Sequence, residues 1–326
     1  MTRYLLQQVL HRGPVLLLIT VISFGIMHLA PGKPTDAATQ FNPKVSLEAR
    51  QRMEQLYGLD QPLPRQYAHW MGRLVRFDFG RSFLDDRPVT EKILERLPIT
   101  LTINLWSLLL ILGIAIPLGV LSAVRPNGLF DRLTTVLVFI GYSAPSFWVA
   151  LLCMAWFGVT LHWLPISGIH SLDYESFGMI HRWLDTGWHL ILPVGIAAFT
   201  SVAGMSRYMR SSMVDVLRQD YIRTARAKGV SERRVLFHHG LRNGLLPVIT
   251  ILGLSLPDLI GGSVIAETIF SIPGMGRLFY EAVMARDYPV VMALVTIGAV
   301  LTMIGNFLAD AGYAVADPRI RVESRA

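Results

Sequence analysis

Residues 99–124 read ITLTINLWSLLLILGIAIPLGVLSAV, a run without a charged side chain. At 1.5 Å of helical rise per residue, a hydrocarbon core of about 30 Å takes about 20 such residues, so the stretch reads as a membrane-crossing helix. The same test picks out five further blocks, at 13–30, 133–161, 188–205, 244–270 and 289–314. Composition agrees with them. Of 326 residues 52% are hydrophobic and 16% charged, and the mean hydropathy is +0.45, too apolar for an ordinary soluble chain of this length. The expected fold is an all-α integral membrane protein with six transmembrane helices. The first block follows Arg3 and Arg12 as a secretory signal would. It ends Leu29-Ala30-Pro31 without an Ala-x-Ala site, and five blocks come after it, so it reads as a retained anchor.

Every Lys and Arg lies between the blocks. Nine fall in 207–242, two each in 1–12 and 124–132, and three in 313–326, whereas the short alternate connections hold only Arg182, Arg277 and Arg286. By the positive-inside rule both termini and the 207–242 loop are cytoplasmic. The segment 31–97 carries eleven basic and nine acidic residues and is long enough to be exempt from that rule. The formal charge of +7 therefore needs no nucleic-acid partner; the partner it implies is the lipid bilayer. Cys153 is the sole cysteine, so no internal disulfide forms and a structural thiol is expected.

Residues 31–98 form an extracytoplasmic segment too small and too polar for a core of its own. A short helical pattern starts at Ser46 and stops at Gly58, and Tyr67, Trp70, Met71, Leu74 and Val75 then follow the spacing of one apolar helix face, with Arg65, Arg73 and Arg76 on the polar side. That face suits either a helix lying on the membrane surface or contact with a partner protein. Val89, Ile93 and Leu97 make another such stripe. Pro117, Pro145, Pro193 and Pro257 punctuate the blocks as kinks or hinges. Gly298, Gly305 and Gly312 recur at intervals of seven along the last block, each step turning only about 20° around a helix, and so mark a seam for close packing.

The cytoplasmic segment 207–243 is larger than a mere link. Asp220 is placed to cap a helix running to Lys228, with Gly229 as its left-handed stop, and Ser231 to cap a second that runs to His239 before Gly240. Two short helices meeting at a glycine form a basic knob. It suits either a force-transmitting contact with a soluble partner or anchorage on anionic lipid.

The stretch Asp220-Tyr221-Ile222-Arg223-Thr224-Ala225-Arg226-Ala227-Lys228-Gly229, followed by His239, Leu241-Arg242-Asn243 and Leu246-Pro247, resembles the coupling loop of ABC-importer permeases of the dipeptide, oligopeptide and nickel branch, the B-type permeases. The general form of that loop is Glu-Ala-Ala-x-x-x-Gly. Here Arg223 and Thr224 replace the acid and the first alanine, while residues 224–229 spell the peptide branch's own Thr-Ala-Arg-Ala-Lys-Gly. Other motifs of the branch occur in order: Arg3-Tyr4, Leu29-Ala30-Pro31-Gly32-Lys33-Pro34 with Lys33 where the family usually has Asp, Tyr57-Gly58-Leu59-Asp60-Gln61-Pro62-Leu63, Arg96-Leu97-Pro98, Trp163-Leu164-Pro165, and Phe270 through Gly276. The resemblance covers nearly the whole chain. It implies the type I importer permease fold, a homologous second permease subunit, two ABC ATPase subunits beneath, and an extracytoplasmic substrate-binding protein above. It also implies Asp220, Tyr221, Thr224, Ala225, Arg226, Ala227, Lys228, Gly229 and Ser231 as the loop that receives the ATPases. Peptides are the commonest cargo of the branch, with nickel chelates, glutathione and opines as alternatives.

No Gly-x-x-x-x-Gly-Lys-Ser/Thr run occurs, so ATP and magnesium are assigned to partner subunits, and this chain is expected to bind no cofactor itself. Nor is there a His-Glu-x-x-His or Gly-x-Ser-x-Gly motif, and the histidines, His238 and His239 included, have no metal-ligand spacing, so neither catalytic nor metal-binding residues are expected. Three acids interrupt the apolar blocks, and an ionisable group at membrane depth is a functional candidate because lipid exposure is costly. Asp258 shares a helix face with Ser255; Glu267, nine residues on, falls on the opposite face unless Gly261-Gly262 breaks the helix. Glu267 is the candidate outer gate. Asp310, one turn after Asn306, belongs either to the path or to a local hydrogen bond. The expected organisation is thus residues 1–30 with the first helix, the outer segment 31–98, a five-helix core 99–314 containing the coupling loop 207–243, and a cytoplasmic tail 315–326. An ion-coupled secondary transporter is the alternative of a different class.

Overall fold

A computed structural model describes the backbone of residues 2–29, 55 and 58–316 and the side chains of residues 12–29, 55 and 58–309. The pattern expected to begin at Ser46, the motif positions from Ala30 to Tyr57 other than Gln55, the side chains of Arg3, Tyr4 and Asp310, the surroundings of Gly312, and the tail from 317 lie outside the described residues. The described chain is helical apart from turns and one isolated bridge between Arg81 and Pro88.

Twelve helical stretches of six residues or more follow one another among the described residues. They are α1 Thr2–Leu29, α2 Leu63–Leu74, α3 Val89–Val124, α4 Leu129–Ser143, α5 Ser146–Thr160, α6 Met179–Leu217, α7 Asp220–Ala227, α8 Glu232–Leu254, α9 Leu256–Gly261, α10 Val264–Ile269, α11 Met275–Met284 and α12 Tyr288–Ala316. Five of them are long and apolar enough to cross a membrane, and α4 with α5 qualifies as a sixth if the bent pair is one span.

Two of the six expected spans are not continuous helices. Block 133–161 bends by 96° between α4 and α5. The bend falls at Ala144, which is extended (φ −78°, ψ 127°) because the ring of the following Pro145 crowds the helical conformation of the residue before it. The 244–270 block is broken twice, at Ser255 before Pro257, and at Gly262, whose φ of 71° and ψ of −177° are open to glycine alone. Pro117 and Pro193, in contrast, sit within unbroken helices.

The contacts divide the chain into two units, residues 1–100 with 273–303, and residues 101–272 with 304–326. In the first, the aromatic face of α2 packs on α1. Tyr67 hydrogen-bonds Thr20 through its hydroxyl at 2.9 Å and meets Phe24 edge-on, while Gln66 pairs with His28 at 3.2 Å. Trp70 is buried by the same packing and Val75 is left exposed. The Val89–Ile93–Leu97 stripe forms a core with Met275, Leu278, Val290 and Val291.

Beside that core lies a buried polar cluster. Asp287 accepts hydrogen bonds from the Ser82 hydroxyl and from the Phe83 N–H at 2.9 Å. Lys92 donates to Ser82 Oγ at 3.0 Å and to Asp85 at 2.9 Å, with Asp287 at 3.9 Å. Burial raises the Asp287 carboxyl above the usual aspartate range, and its hydrogen bonds and the Lys92 charge oppose that without overcoming it. Burial also pushes Asp85 upward, but there the bonds from Lys92, Ser82 and the Arg87 backbone win, and its carboxyl lies below the usual range.

In the second unit, α3 and α8 pack on α6 around Met205, Met209 and Met213, and α4 also packs on α6. Gly119 permits this approach, since a Cβ there would stand 2.6 Å from that of Met209. The glycine seam of α12 is used at one place. A Cβ at Gly305 would lie 2.5 Å from the Gly253 carbonyl oxygen and one at Gly253 would lie 2.7 Å from that of Ala309, whereas nothing approaches Gly298.

Candidate functional site

The knob at 220–240 is a folded body with a core of its own. Ile222 and Val235 are fully buried and Ala225 nearly so, with Leu217 and Val230 packed against them. Its turn is a Schellman motif: Val230 N–H bonds the Ala225 carbonyl at 3.2 Å and Gly229 N–H that of Arg226 at 2.9 Å, with Gly229 at φ 75°. Arg226 reaches Glu232 across the turn with two bonds of 2.8 and 3.2 Å. Asn243 of α8 donates to the Tyr221 hydroxyl at 2.8 Å and Leu217 of α6 packs on the knob's core, so the knob is tied to both long helices that carry it; Ser212 of α6 bonds the Gly244 carbonyl of α8 at 3.0 Å just beyond it.

The expected caps differ in detail. Gln219, not Asp220, is the N-cap of α7 and Asp220 is its first residue; neither Gln219 nor Ser231 makes a side-chain capping bond. Asp220 still stands where a helix N-terminus favours a carboxylate. Gly240 does not end the second helix. It lies in helical conformation at the end of a wider turn, 235–240, and α8 continues to Leu254. Gly240 and Gly244 face Met213, where a Cβ at Gly244 would be 2.4 Å from the sulfur. Glycine here serves helix packing rather than chain reversal.

Ala225 is buried within the knob. Its exposed face carries Tyr221, Arg223, Thr224, Arg226, Ala227, Lys228, Ser231, Arg233, Arg234, Phe237 and His238. Phe237 is 52% exposed among these cations, next to a shallow depression lined by Ser231, Arg233, Arg234 and His238. The resemblance pointed to 220–231 and did not single out Phe237; its signal was an aromatic residue on the polar side of a basic helix.

The acids of the interrupted stretch are separated by the break at Gly262. Asp258 is exposed on α9, and its backbone carbonyl and that of Leu259 accept bonds from Asn104 at 2.8 and 3.0 Å. Glu267 is 3% exposed in the first turn of α10, which Ser263 caps by accepting from the Ala266 N–H. Ser255 bonds back to the Leu252 carbonyl, and Asn306 is half-buried on α12 beside the Gly305 contact. The backbone of Asp310 belongs to α12.

The charged pair Asp131–Arg210 was not anticipated. Asp131, in the first turn of α4, is 3% exposed and receives Arg210 of α6 through two bonds of 2.5 and 2.6 Å. Among the described residues, no group of three or more metal-ligating side chains occurs.

Two family descriptions match the chain almost end to end. Residues 115–322 match the binding-protein-dependent transport system inner membrane component, and residues 1–104 match the N-terminal part of such membrane components. The chain belongs to this family. It is thus a multi-pass inner-membrane permease subunit of an ABC transport system, the component that spans the membrane rather than the ATPase. The permease is 48% identical over 323 residues to the oligopeptide transport system permease protein AppB of Bacillus subtilis, covering 98% of this chain and 99% of the relative. It is 40% identical over 323 residues, 99% of this chain and 100% of the relative, to a putative peptide transport system permease protein of Brucella abortus. With the di/tripeptide transport system permease protein DppB of Pseudomonas aeruginosa it shares 37% over 319 residues, 93% of this chain and 94% of that one. These matches bear out the B-type permease resemblance.

Proposed function

We propose that this permease forms, with a homologous second permease, the translocation path of an ATP-driven peptide importer, and that the 220–240 knob receives the motion of separate ATPase subunits. The carrying observation is the knob itself: an exposed basic surface on a body with a buried core of its own, packed on Leu217 of α6 and bonded to Asn243 of α8. The peptide cargo is supported by the relatives named above, each a peptide or oligopeptide permease by name.

In this reading the chain has the type I importer fold and crosses the membrane six times, α4 with α5 counting as one broken span, with both termini and the knob in the cytoplasm. The segment 31–98 faces the extracytoplasmic binding protein, the core is 99–314 and the tail 315–326. ATP and magnesium act in the partner ATPases. ATP binding closes those subunits, the knob passes the closure to the helices, the cavity opens outward to take the peptide, and hydrolysis lets it reopen inward. Asp258 and Ser255 lie on one side of the Gly262 break and Glu267, the outer-gate candidate, on the other. With the helix interrupted there, the two acids need not face opposite ways. Asn306 and Asp310 supply further polar positions for the path.

The test is uptake of a labelled dipeptide into proteoliposomes holding the permease with its partner subunits and binding protein. Uptake that requires ATP and survives collapse of ion gradients supports the proposal. Uptake that follows an ion gradient without ATP would make it an ion-coupled secondary transporter instead.

A further inference from the structure

A cavity of about 450 Å³ opens between α4 and α6 in the second unit, within the range of about 300–1,000 Å³ common for small-ligand sites. Its largely apolar walls carry several polar side chains. Hydroxyls of Ser122, Thr134, Thr135 and Ser206 line it together with Arg207, from the end of α3, the first two turns of α4 and the C-terminal part of α6. In the topology proposed above Arg207 belongs to the cytoplasmic segment that follows the 188–205 block, so the cavity lies at the cytoplasmic end of these helices.

The hydrogen bonding at the cavity wall defines the ligand chemistry. Thr134 donates to the Phe130 carbonyl, Thr135 to that of Asp131 at 2.7 Å and Ser206 to that of Ala203 at 3.2 Å. Their protons are committed to the backbone, so the oxygens offer lone pairs to a ligand's N–H groups. The two arginines at the wall differ. Arg210 is held by Asp131, whereas Arg207, one turn earlier on α6, has no acidic partner among the described residues and is exposed. A guanidinium so placed suits a carboxylate. Exposed Phe139, Tyr142 and Tyr208 add apolar and aromatic surface around these polar groups.

We propose that this cavity is the inner part of the peptide path, with Arg207 receiving the peptide's C-terminal carboxylate and the Thr135 and Ser206 oxygens accepting from its N–H groups. The inference rests on the peptide-importer reading and assigns to it a place and a chemical handle. It moves the inner path away from the acids of the broken stretch and onto α4 and α6.

The test uses the assembled transporter in inside-out vesicles. Cys153 is replaced by serine, and Ser211→Cys, at the cavity wall, reports access through its rate of labelling by a membrane-impermeant maleimide. Trialanine should slow labelling, and its C-terminal amide should be about tenfold less effective, the scale of one charge-assisted hydrogen bond. Arg207→Gln should abolish that difference and Arg207→Lys should retain it, while labelling of Leu129→Cys, exposed in the cytoplasmic 124–132 segment and outside the cavity lining, stays unaffected by peptide. Equal protection by acid and amide in the Arg207 protein would overturn the carboxylate assignment. No protection at Ser211→Cys or at a second reporter, Val138→Cys, also in the lining, in complexes that still import peptide with ATP would overturn the cavity as path while leaving the importer reading intact. Loss of ATP-driven peptide uptake by the native complex would instead remove the reading on which the inference rests.

Discussion

Arg210 and Asp131, 79 residues apart, close a two-pronged ion pair between α6 and α4 at 2.5 and 2.6 Å, with the Asn127 N–H donating to the same carboxylate at 2.7 Å. Asp131 is buried to 3% exposure while Arg210 keeps 32%, so the two partners are not equivalent. Arg210→Met strands a buried carboxylate, a loss of about 3–5 kcal/mol for a broken buried pair. Asp131→Asn leaves a cation that still reaches water and should cost clearly less. Thermal unfolding of the detergent-solubilised transporter, compared across the two variants, checks the order; equal or reversed losses would sink it.

The glycine seam makes a prediction with an internal control. Gly305→Ala pushes a methyl group to 2.5 Å from the Gly253 carbonyl oxygen, an overpacking worth about 1–3 kcal/mol. Gly298→Ala meets nothing within 4 Å, so helix propensity alone acts and this chain gains up to about 1 kcal/mol. Melting temperatures should therefore move in opposite directions for two substitutions one heptad apart. Matching shifts would contradict the seam as described.

In the outer unit Lys92 is the cation facing the buried Asp287, with Asp85 on its other side. Lys92→Met leaves Asp287 desolvated with hydrogen bonds but no countercharge, a change on the order of 3 kcal/mol at neutral pH. The pH dependence has a definite sign. Asp287 titrates above the ordinary aspartate range, so the native state takes up that proton first, and its share of stability is present at low pH and lost as pH rises through the raised value. Asp85 is held low, and its share, present above the ordinary range, is lost as pH falls through the lowered value. Removing Lys92 strengthens the first effect and weakens the second. The variant's deficit against the native protein should accordingly shrink on acidification; a deficit that grows would show that the cluster is wired differently.

Much of the architecture was written in local pattern. The runs at 99–124 and 289–314 became helices because length and apolarity alone suffice, and Trp70 and the Val89–Ile93 stripe were buried as their spacing required, whereas Val75 at the end of the α2 stripe stayed exposed. Pro145 and Gly262 signalled a hinge and a possible break, but whether a proline interrupts a helix depends on packing around it. Pro193 and Pro145 have the same chemistry and opposite outcomes. At the knob, the stop at Gly229 was legible from a local rule, while Gly240 was misleading because its role is set by Met213, 27 positions away. The Asp131–Arg210 pair and the Asp287 cluster were invisible for the same reason. Each joins residues far apart in the chain, and single charges near the ends of apolar blocks look like ordinary flanks until the helices are assembled.

The central claim, that the motor meets this permease at the 220–240 knob, is tested most directly by crosslinking. In a Cys153→Ser background, Phe237→Cys and Tyr221→Cys on the knob are compared with Phe77→Cys in the outer unit, each treated in the assembled transporter with a thiol-to-amine crosslinker. The account predicts adducts between the knob cysteines and an ATPase subunit, altered in yield by ATP, and none from Phe77→Cys. Crosslinks to the ATPase from Phe77→Cys, or none from either knob position in complexes that import peptide with ATP, would contradict it.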